Sequence, residues 1–184
     1  MVYCIGLQIL VMGPTRHGEV MTLLHKALGS VDAPGAIGIA FPDYRLAPTR
    51  SLGRGFVLFA EDPHSLSSLL VSPPFCALSG QEGILTYPVQ AIPKQASWVR
   101  FSRERRRQRR ALKATGRYKD NALPSFDINS TSNGHRFQIA VRMAPVDSTE
   151  VRSGLGPYSS YGLSAGLGGI APLFPVEMLQ HDCQ

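Results

Sequence analysis

The chain has 184 residues, 43% of them hydrophobic and 17% charged, with a formal net charge of +6, which indicates a folded globular protein with a basic surface. Its cysteines, Cys4, Cys76 and Cys183, are far apart in the sequence, which argues against a disulfide framework or a zinc site and favours a cytoplasmic protein. The apolar opening, residues 2–12, is too short to span a membrane and lacks the basic residues that precede a signal peptide's core, so no membrane association is expected.

The first half of the chain predicts four strands, because short apolar runs there end at turn residues. The predicted strands cover 2–12, 36–41, 55–61 and 84–92. Pro88 cannot donate a hydrogen bond within a sheet, so it places the fourth strand at an edge or a bulge.

Two helices are predicted between these strands. Apolar residues recur at helical spacing from 20 to 28 and are followed by Gly29, a typical helix stop. The second helix is predicted to begin at Asp62-Pro63 and to bury three leucines that follow at 66, 69 and 70. The resulting order, βαββαβ, is that of a ferredoxin-like fold.

The composition changes after Pro93, where the chain becomes strongly basic. We therefore predict two domains, a ferredoxin-like domain at 1–93 and a smaller β-containing domain at 94–184, in an α+β protein. β-like stretches in the second domain cover 125–128 and 136–143.

The basic segment is the most unusual feature of the sequence. Residues 94–119 contain eleven Lys or Arg and one acid, so this stretch carries a charge of +10 while the rest of the chain is acidic. Residues 103–110 read RERRRQRR and have no apolar stripe to bury, which favours a helix that contacts a polyanion. In such a helix one face would hold Arg103, Arg106, Arg107 and Arg110, with Arg105 and Arg109 beside them. A localisation signal or a solvated face is the alternative interpretation.

The titratable residues favour RNA over DNA as a substrate for any chemistry. The thirteen acids are scattered and form no two-metal cluster, whereas RNA can be cleaved without metal when a base takes the proton of its 2'-hydroxyl. His25, in the sequence LLHKAL of the first helix, is one of five histidines that could serve. From its position alone, His25 could equally be a surface or capping histidine.

A family resemblance rests on several of these segments together. The motifs LHKAL, IGIAFPD, LPSFDINSTSNGHRFQIAVRMAP and YGLS, together with the arginine-rich segment, resemble the CRISPR repeat-processing endoribonucleases of type I-F systems. The resemblance extends to about Phe174, and residues 175–184 are assigned no role. It implies a metal-independent enzyme without cofactors that cuts pre-crRNA at the base of a repeat hairpin and leaves a 5'-hydroxyl and a 2',3'-cyclic phosphate.

The resemblance also implies the catalytic residues. His25 matches the catalytic histidine, which helps to remove the proton of the 2'-hydroxyl. Ser130 matches a serine that positions that hydroxyl, and Tyr161 matches a tyrosine that orients the histidine.

RNA-binding roles follow in the same way. Phe137 matches an aromatic residue that stacks on the lowest base pair of the stem, although a buried strand residue is the alternative, and Ser132 matches a second loop serine near the phosphate. Where the family carries base-reading residues, this chain has Trp98-Val99-Arg100, so Arg100 is the candidate for a contact with guanine. The other expected RNA contacts are Arg103, Arg106, Arg107, Arg109 and Arg110.

The partners implied are the CRISPR repeat hairpin, which stays bound as mature crRNA, and the other subunits of a type I-F complex. The first domain would carry the catalytic histidine, and the second would bind RNA. Two other functions remain open from the residues: a non-catalytic subunit that caps the hairpin, and a ribosomal-type or duplex-DNA-binding protein.

Overall fold

The structure is a computed structural model that describes residues 1–13, 15–104, 123–129, 136–147, 155–165 and 168–180. The arginines at 105–110 and the two loop serines, Ser130 and Ser132, lie outside the described residues. The strands are β1 (Tyr3–Ile9), β2 (Gly38–Ala40), β3 (Gly55–Ala60), β4 (Ile84–Thr86), β5 (Gln90–Ala91), β6 (Ser97–Arg103), β7 (Ser125–Asn129), β8 (Arg136–Pro145) and β9 (Ala171–Leu173). The helices are α1 (Arg16–Gly29), α2 (Pro63–Leu70), α3 (Pro73–Ser79) and a 3₁₀ helix at Val176–Gln180.

The first sheet has the predicted ferredoxin-like arrangement. Its strands are ordered β2-β3-β1-β4, and all of the pairs are antiparallel. Along the chain, the strands and the helices α1 and α2 follow the βαββαβ order of that fold. The α+β prediction is confirmed. In this sheet, each strand is shorter than the apolar run that predicted it.

The fourth predicted strand, 84–92, is split in two around Pro88. β4 and β5 both pair with β1, at residues 7–9 and at residues 3 and 4 respectively. Between them the Tyr87 N–H donates to the Gly6 carbonyl at 2.9 Å, and the Tyr87 ring fills the space over Gly6 that a side chain would need. Because proline has no N–H, the ladder cannot continue through Pro88, and the predicted edge position is confirmed.

The second helix begins as predicted, and a further helix follows it. The Asp62 carboxylate accepts from the His64 N–H at 3.0 Å and so caps α2. The sequence analysis missed α3, which starts after Ser72 with Pro73 and Pro74 in its first turn, where a missing N–H costs nothing.

The second sheet has the order β7-β8-β6-β9 and is also antiparallel. Its strand β6 was not predicted, and it corrects one expectation about the arginine run. Arg103 is the last residue of β6 and pairs with Val141 of β8, and the Glu104 N–H donates to the Ala140 carbonyl at 3.0 Å. The prediction that Arg103 belongs to a helix is therefore wrong, because its backbone lies in the sheet.

The two sheets share one hydrophobic core. Phe41, which follows β2, packs edge-on against Phe101 of β6 with ring centroids 5.2 Å apart. The Tyr44 hydroxyl donates to the Val141 carbonyl at 3.1 Å, and the apolar environment raises the pKa of Tyr44. The division into domains at 93/94 stays a prediction. Within the described ranges, no helix has the length and apolar character that a membrane crossing requires.

Candidate functional site

His25 lies at the margin of the buried face of α1. That face packs into the core through five side chains at helical spacing: Val20, Met21, Leu24, Ala27 and Leu28. His25 follows Leu24 and is half-buried, so its ring is fixed by the helix and remains accessible from one side. This confirms the predicted helix and the position of His25 just outside its apolar stripe.

The partner of His25 is a β-turn at 159–162. The Gly162 N–H donates to the Ser159 carbonyl at 2.8 Å, which leaves Ser160 and Tyr161 at the two central positions. Gly162 has a φ of +68°, and a side chain there would meet Ile39, so the turn requires glycine. The Gly162 carbonyl in turn accepts from the Ile39 N–H at 2.8 Å, which attaches the turn to β2.

A buried tyrosine anchors the start of this turn. The Tyr158 hydroxyl lies 2.5 Å from the Leu155 carbonyl and 2.6 Å from the Ile170 carbonyl, both of which can accept its proton. Its ring packs edge-on against Phe59 with centroids 5.4 Å apart. Burial raises the pKa of Tyr158, and the nearby Glu61 carboxylate raises it further. Tyr158 therefore stays protonated and connects the turn to the core.

The turn contacts the His25 ring in two ways. The His25 Nδ1 atom lies 2.7 Å from the Ser160 carbonyl oxygen, and the His25 and Tyr161 rings stack with centroids 4.3 Å apart and planes 16° from parallel. A carbonyl oxygen only accepts, so Nδ1 carries the proton. The neutral ring then keeps its lone pair on Nε2, which is the arrangement of a histidine that can take a proton from a ligand.

A cation and a further aromatic ring lie near Tyr161 and His25. The guanidinium carbon of Arg103 lies 5.7 Å from the centre of the Phe137 ring and 5.9 Å from the centre of the Tyr161 ring, within the range of a cation–π contact. His25, Tyr161, Arg103 and Phe137, hereafter the His25 cluster, come from α1, the turn, β6 and β8, so the fold brings together residues that are far apart in the sequence.

Comparison with known proteins identifies the family. The profile of the CRISPR-associated protein family Cas_Csy4 matches residues 15–174, which is most of the chain. The chain belongs to the Csy4 family. This family comprises the type I-F endoribonucleases that process pre-crRNA, so the resemblance stated from the motifs is confirmed.

The other comparisons add less. One solved structure, a RAMP protein that binds different RNA substrates, is 11% identical, with 95% of this chain and 100% of that chain covered and a TM-score of 0.38. The ferredoxin-like assignment therefore rests on the strand order and pairing of this chain alone. No curated protein matches the chain.

The structure describes five of the predicted site residues, namely His25, Tyr161, Phe137, Arg103 and Arg100. Tyr161 stacks on His25, and Phe137 lies near Arg103. Phe137 is only partly buried, with its ring packed against the core. Arg100 follows the buried Val99 in β6 and so lies on the opposite face of the sheet from Arg103. Ser130, Ser132, Arg106, Arg107, Arg109 and Arg110 lie outside the described residues.

The element that leads to Ser130 is packed against the helix that carries His25. β7 ends at Asn129 and contacts α1, where Gly18 lies so close to the Asp127 carbonyl that a side chain would collide with it. Beside this contact, a cavity of about 500 Å³ is lined by polar side chains that include Thr22 and Gln138. The chain thus reaches Ser130 from a strand whose position relative to α1 is fixed.

Two other histidines differ from His25. The His17 Nε2 atom lies 2.6 Å from the Gly53 carbonyl, so this ring ties α1 to the segment before β3. His64 is exposed on α2. Among the residues that the structure describes, no three His, Cys, Asp or Glu side chains are grouped as a metal site.

Two features of this site were not predicted: the contact of His25 with the Ser160 carbonyl, and the position of Arg103 near the Tyr161 ring. The Ser160 carbonyl is a backbone atom, and no side-chain pattern could have indicated it. Arg103 was counted as one more arginine of a basic run, although the alternation of Val99 and Phe101 with polar residues in β6 is a strand signal that was present.

Proposed function

We propose that this protein is a metal-independent endoribonuclease that binds the CRISPR repeat hairpin and cuts pre-crRNA at its base. Membership of the Csy4 family supports CRISPR RNA binding and processing. The observation that carries the proposal of cleavage without a metal is the hydrogen bond from His25 Nδ1 to the Ser160 carbonyl at 2.7 Å. It directs the unprotonated Nε2 away from the turn, where the 2'-hydroxyl of a bound nucleotide would be accessible.

The proposed reaction is an internal transfer at phosphorus. His25 Nε2 takes the proton of the 2'-hydroxyl as the 2'-oxygen forms a bond to the adjacent phosphorus. The bond from phosphorus to the 5'-oxygen breaks, and that oxygen receives the proton of the imidazolium, directly or relayed through a water molecule. The products are a 2',3'-cyclic phosphate and a 5'-hydroxyl, and the imidazole is neutral again.

Tyr161 and Ser130 would position the two reacting groups, the imidazole of His25 and the 2'-hydroxyl. Tyr161 stacks on the imidazole and restricts its rotation, while the Ser160 carbonyl fixes its tautomer. Ser130 is assigned the orientation of the 2'-hydroxyl, a role for which small displacements are expected to matter. The attachment of β7 to α1 supports this assignment, because β7 delivers the chain to Ser130 from a fixed position.

The RNA-binding surface would combine stacking and charge. Phe137 presents a partly exposed ring that we assign to the lowest base pair of the stem, and Ser132 is assigned to the nearby phosphate. The arginines between 103 and 110 supply a density of positive charge suited to the backbone of a hairpin, and Arg100 is assigned to a base. Retention of the cut RNA would leave the protein at the hairpin end of a type I-F complex with other CRISPR subunits.

Two RNAs test this function. The full-length protein is incubated in EDTA with its repeat RNA and with the same RNA carrying a 2'-deoxy nucleotide at the cleavage position. We expect the first to be cut and the second to be bound without cutting, with a 2',3'-cyclic phosphate on the product. Tight binding of both RNAs with cutting of neither would contradict the proposal and would favour a subunit that only caps the hairpin.

A further inference from the structure

Arg103 lies on the inner face of the second sheet, opposite the face that carries Arg100. In β6 it occupies the same face as Phe101, two residues before it, and it pairs across the sheet with Val141 of β8. Both of those side chains are buried, with exposed fractions of 1% and 0%. The side chain of Arg103 therefore starts from the inner face of the sheet, where the core ends and the His25 cluster begins.

The position of the guanidinium is defined by two aromatic rings. It lies over Phe137 at 5.7 Å and over Tyr161 at 5.9 Å, and Tyr161 stacks on the imidazole of His25. The permanent cation and the proposed base therefore both contact the ring of Tyr161. Arginine carries a fixed fork of N–H donors that matches the oxygens of a phosphate in pairs, and it keeps its charge at any ordinary pH.

The proposed reaction needs a positive charge at this point. When the 2'-oxygen attacks, negative charge accumulates on the non-bridging oxygens of the phosphorus, and His25 cannot neutralise it while it is taking the proton from the nucleophile. Fixed donors aimed at such developing charge account for a large part of the rate in many enzymes. An arginine already held in place by ring contacts would lose little freedom on engaging the phosphate.

We propose that Arg103 is a catalytic residue that binds a non-bridging oxygen of the scissile phosphate and stabilises the charge that forms on it in the transition state. The proposal rests on the function proposed above, and it separates Arg103 from the arginines that follow it in the sequence. Arg103 neither gains nor loses a proton in the step. The rest of the run would contribute to binding, and Arg103 to the rate.

The test measures single-turnover cleavage at saturating protein together with the dissociation constant. For Arg103→Gln we expect the rate to fall by about 10²–10³-fold, the usual effect of removing one donor to an oxyanion, while affinity changes by less than about threefold because many phosphate contacts share it. Arg103→Lys keeps the charge without the paired donors and should recover part of the rate. Arg142→Gln, which removes an equal charge from the opposite face of β8 where Arg142 binds Glu104 at 2.6 Å, should cleave normally.

A sulfur substitution separates catalysis from a structural role. Replacing one of the two non-bridging oxygens of the scissile phosphate with sulfur should slow the wild-type protein for one stereoisomer, because sulfur is a weaker hydrogen-bond acceptor than oxygen. That penalty should shrink in both Arg103 variants, so the lysine variant decides the matter if the glutamine variant does not fold.

Normal cleavage by Arg103→Gln, or an unchanged sulfur penalty in the variants, would overturn the assignment while leaving His25 and the endoribonuclease function intact. Failure of the wild-type protein to cut any RNA would instead contradict the proposed function itself.

Discussion

The two sides of the His25–Tyr161 stack are supported in very different ways. His25 belongs to a 14-residue helix with five buried side chains, so many independent contacts fix its position. Tyr161 belongs to a four-residue turn that depends on one glycine, three backbone hydrogen bonds and the anchor at Tyr158. The proposed base is therefore held by packing, whereas the ring proposed to orient it is held by backbone geometry, so the two sides should respond differently to substitution.

The largest effect should come from removing the base itself. For His25→Ala we expect cleavage in EDTA to fall by about 10²–10⁴-fold, the usual contribution of a general base, with little change in RNA affinity. The stability of the protein should also be nearly unchanged, since the ring lies outside the buried stripe. His64→Ala, which removes an exposed histidine of α2, is the matched control and should cleave normally. Normal turnover by His25→Ala would refute its assignment.

The turn can be broken without touching either ring. Gly162→Ala places a side chain where φ is +68° and where Ile39 leaves no space, at a cost of about 1–3 kcal/mol in the free energy of unfolding. We expect a loss of cleavage of about 10²-fold, because displacement of catalytic groups by about 1 Å has effects of that size.

Gly29→Ala provides the control on the helical side. Gly29 ends α1, and a side chain added there meets nothing within 4 Å. Cleavage and stability should remain close to wild type. Equal damage from the two glycine variants would mean that the helix and the turn are not supported differently.

Substitutions of Tyr161 distinguish its ring from its hydroxyl. The contact with His25 is a stack of rings, so Tyr161→Phe should retain the cleavage rate within about threefold, while Tyr161→Ala should lose about tenfold or more, as expected when a positioned base gains rotational freedom. The measurement is the single-turnover rate at saturating protein. Should the phenylalanine variant be as slow as the alanine variant, the hydroxyl would have a role that stacking does not explain.

The smallest expected effect is a change in the free energy of unfolding when Tyr158, which anchors the turn, is replaced, and it depends on pH. Tyr158→Phe removes a donor from two buried carbonyls and should cost about 1–3 kcal/mol near neutral pH. Because burial raises the pKa of Tyr158 above its ordinary value of 10.0, the unfolded state ionises first as pH rises above 10, and the stability contributed by this hydroxyl is lost there.

The difference in unfolding free energy between wild type and Tyr158→Phe should therefore narrow above pH 10, measured by urea denaturation without RNA. A difference that widens with pH would contradict the assigned direction of the pKa shift.

Periodicity predicted the helical side well and the turn side poorly. The apolar spacing from Val20 to Leu28 predicts α1 and the marginal position of His25, because a helix converts sequence spacing directly into a face. The order of the ferredoxin-like sheet follows from the same reasoning. The turn itself was not predicted: the family resemblance implied that Tyr161 orients His25, but the contact through the Ser160 carbonyl depends on a backbone atom that every residue possesses.

Arg103 shows a different limit of prediction from the sequence. Five arginines follow it between 105 and 110, and charge patterning alone assigned all of them and Arg103 to one helix. The hydrogen bonds of β6 with β8 override that pattern, because pairing with an adjacent strand outweighs a weak local preference. Arg103, predicted to contact the RNA backbone from a helix, is thus placed near the Tyr161 ring that stacks on the proposed base.

The tautomer of His25 tests the central claim most directly. Nitrogen NMR of protein labelled with ¹⁵N in histidine, with the His25 signals assigned from their loss in His25→Ala, reports which ring nitrogen carries the proton in the neutral form. The account predicts a proton on Nδ1, donated to the Ser160 carbonyl, and an unprotonated Nε2 that can act as the base. A neutral His25 with its proton on Nε2 would contradict it, since that ring could not accept the proton of the 2'-hydroxyl from the accessible side.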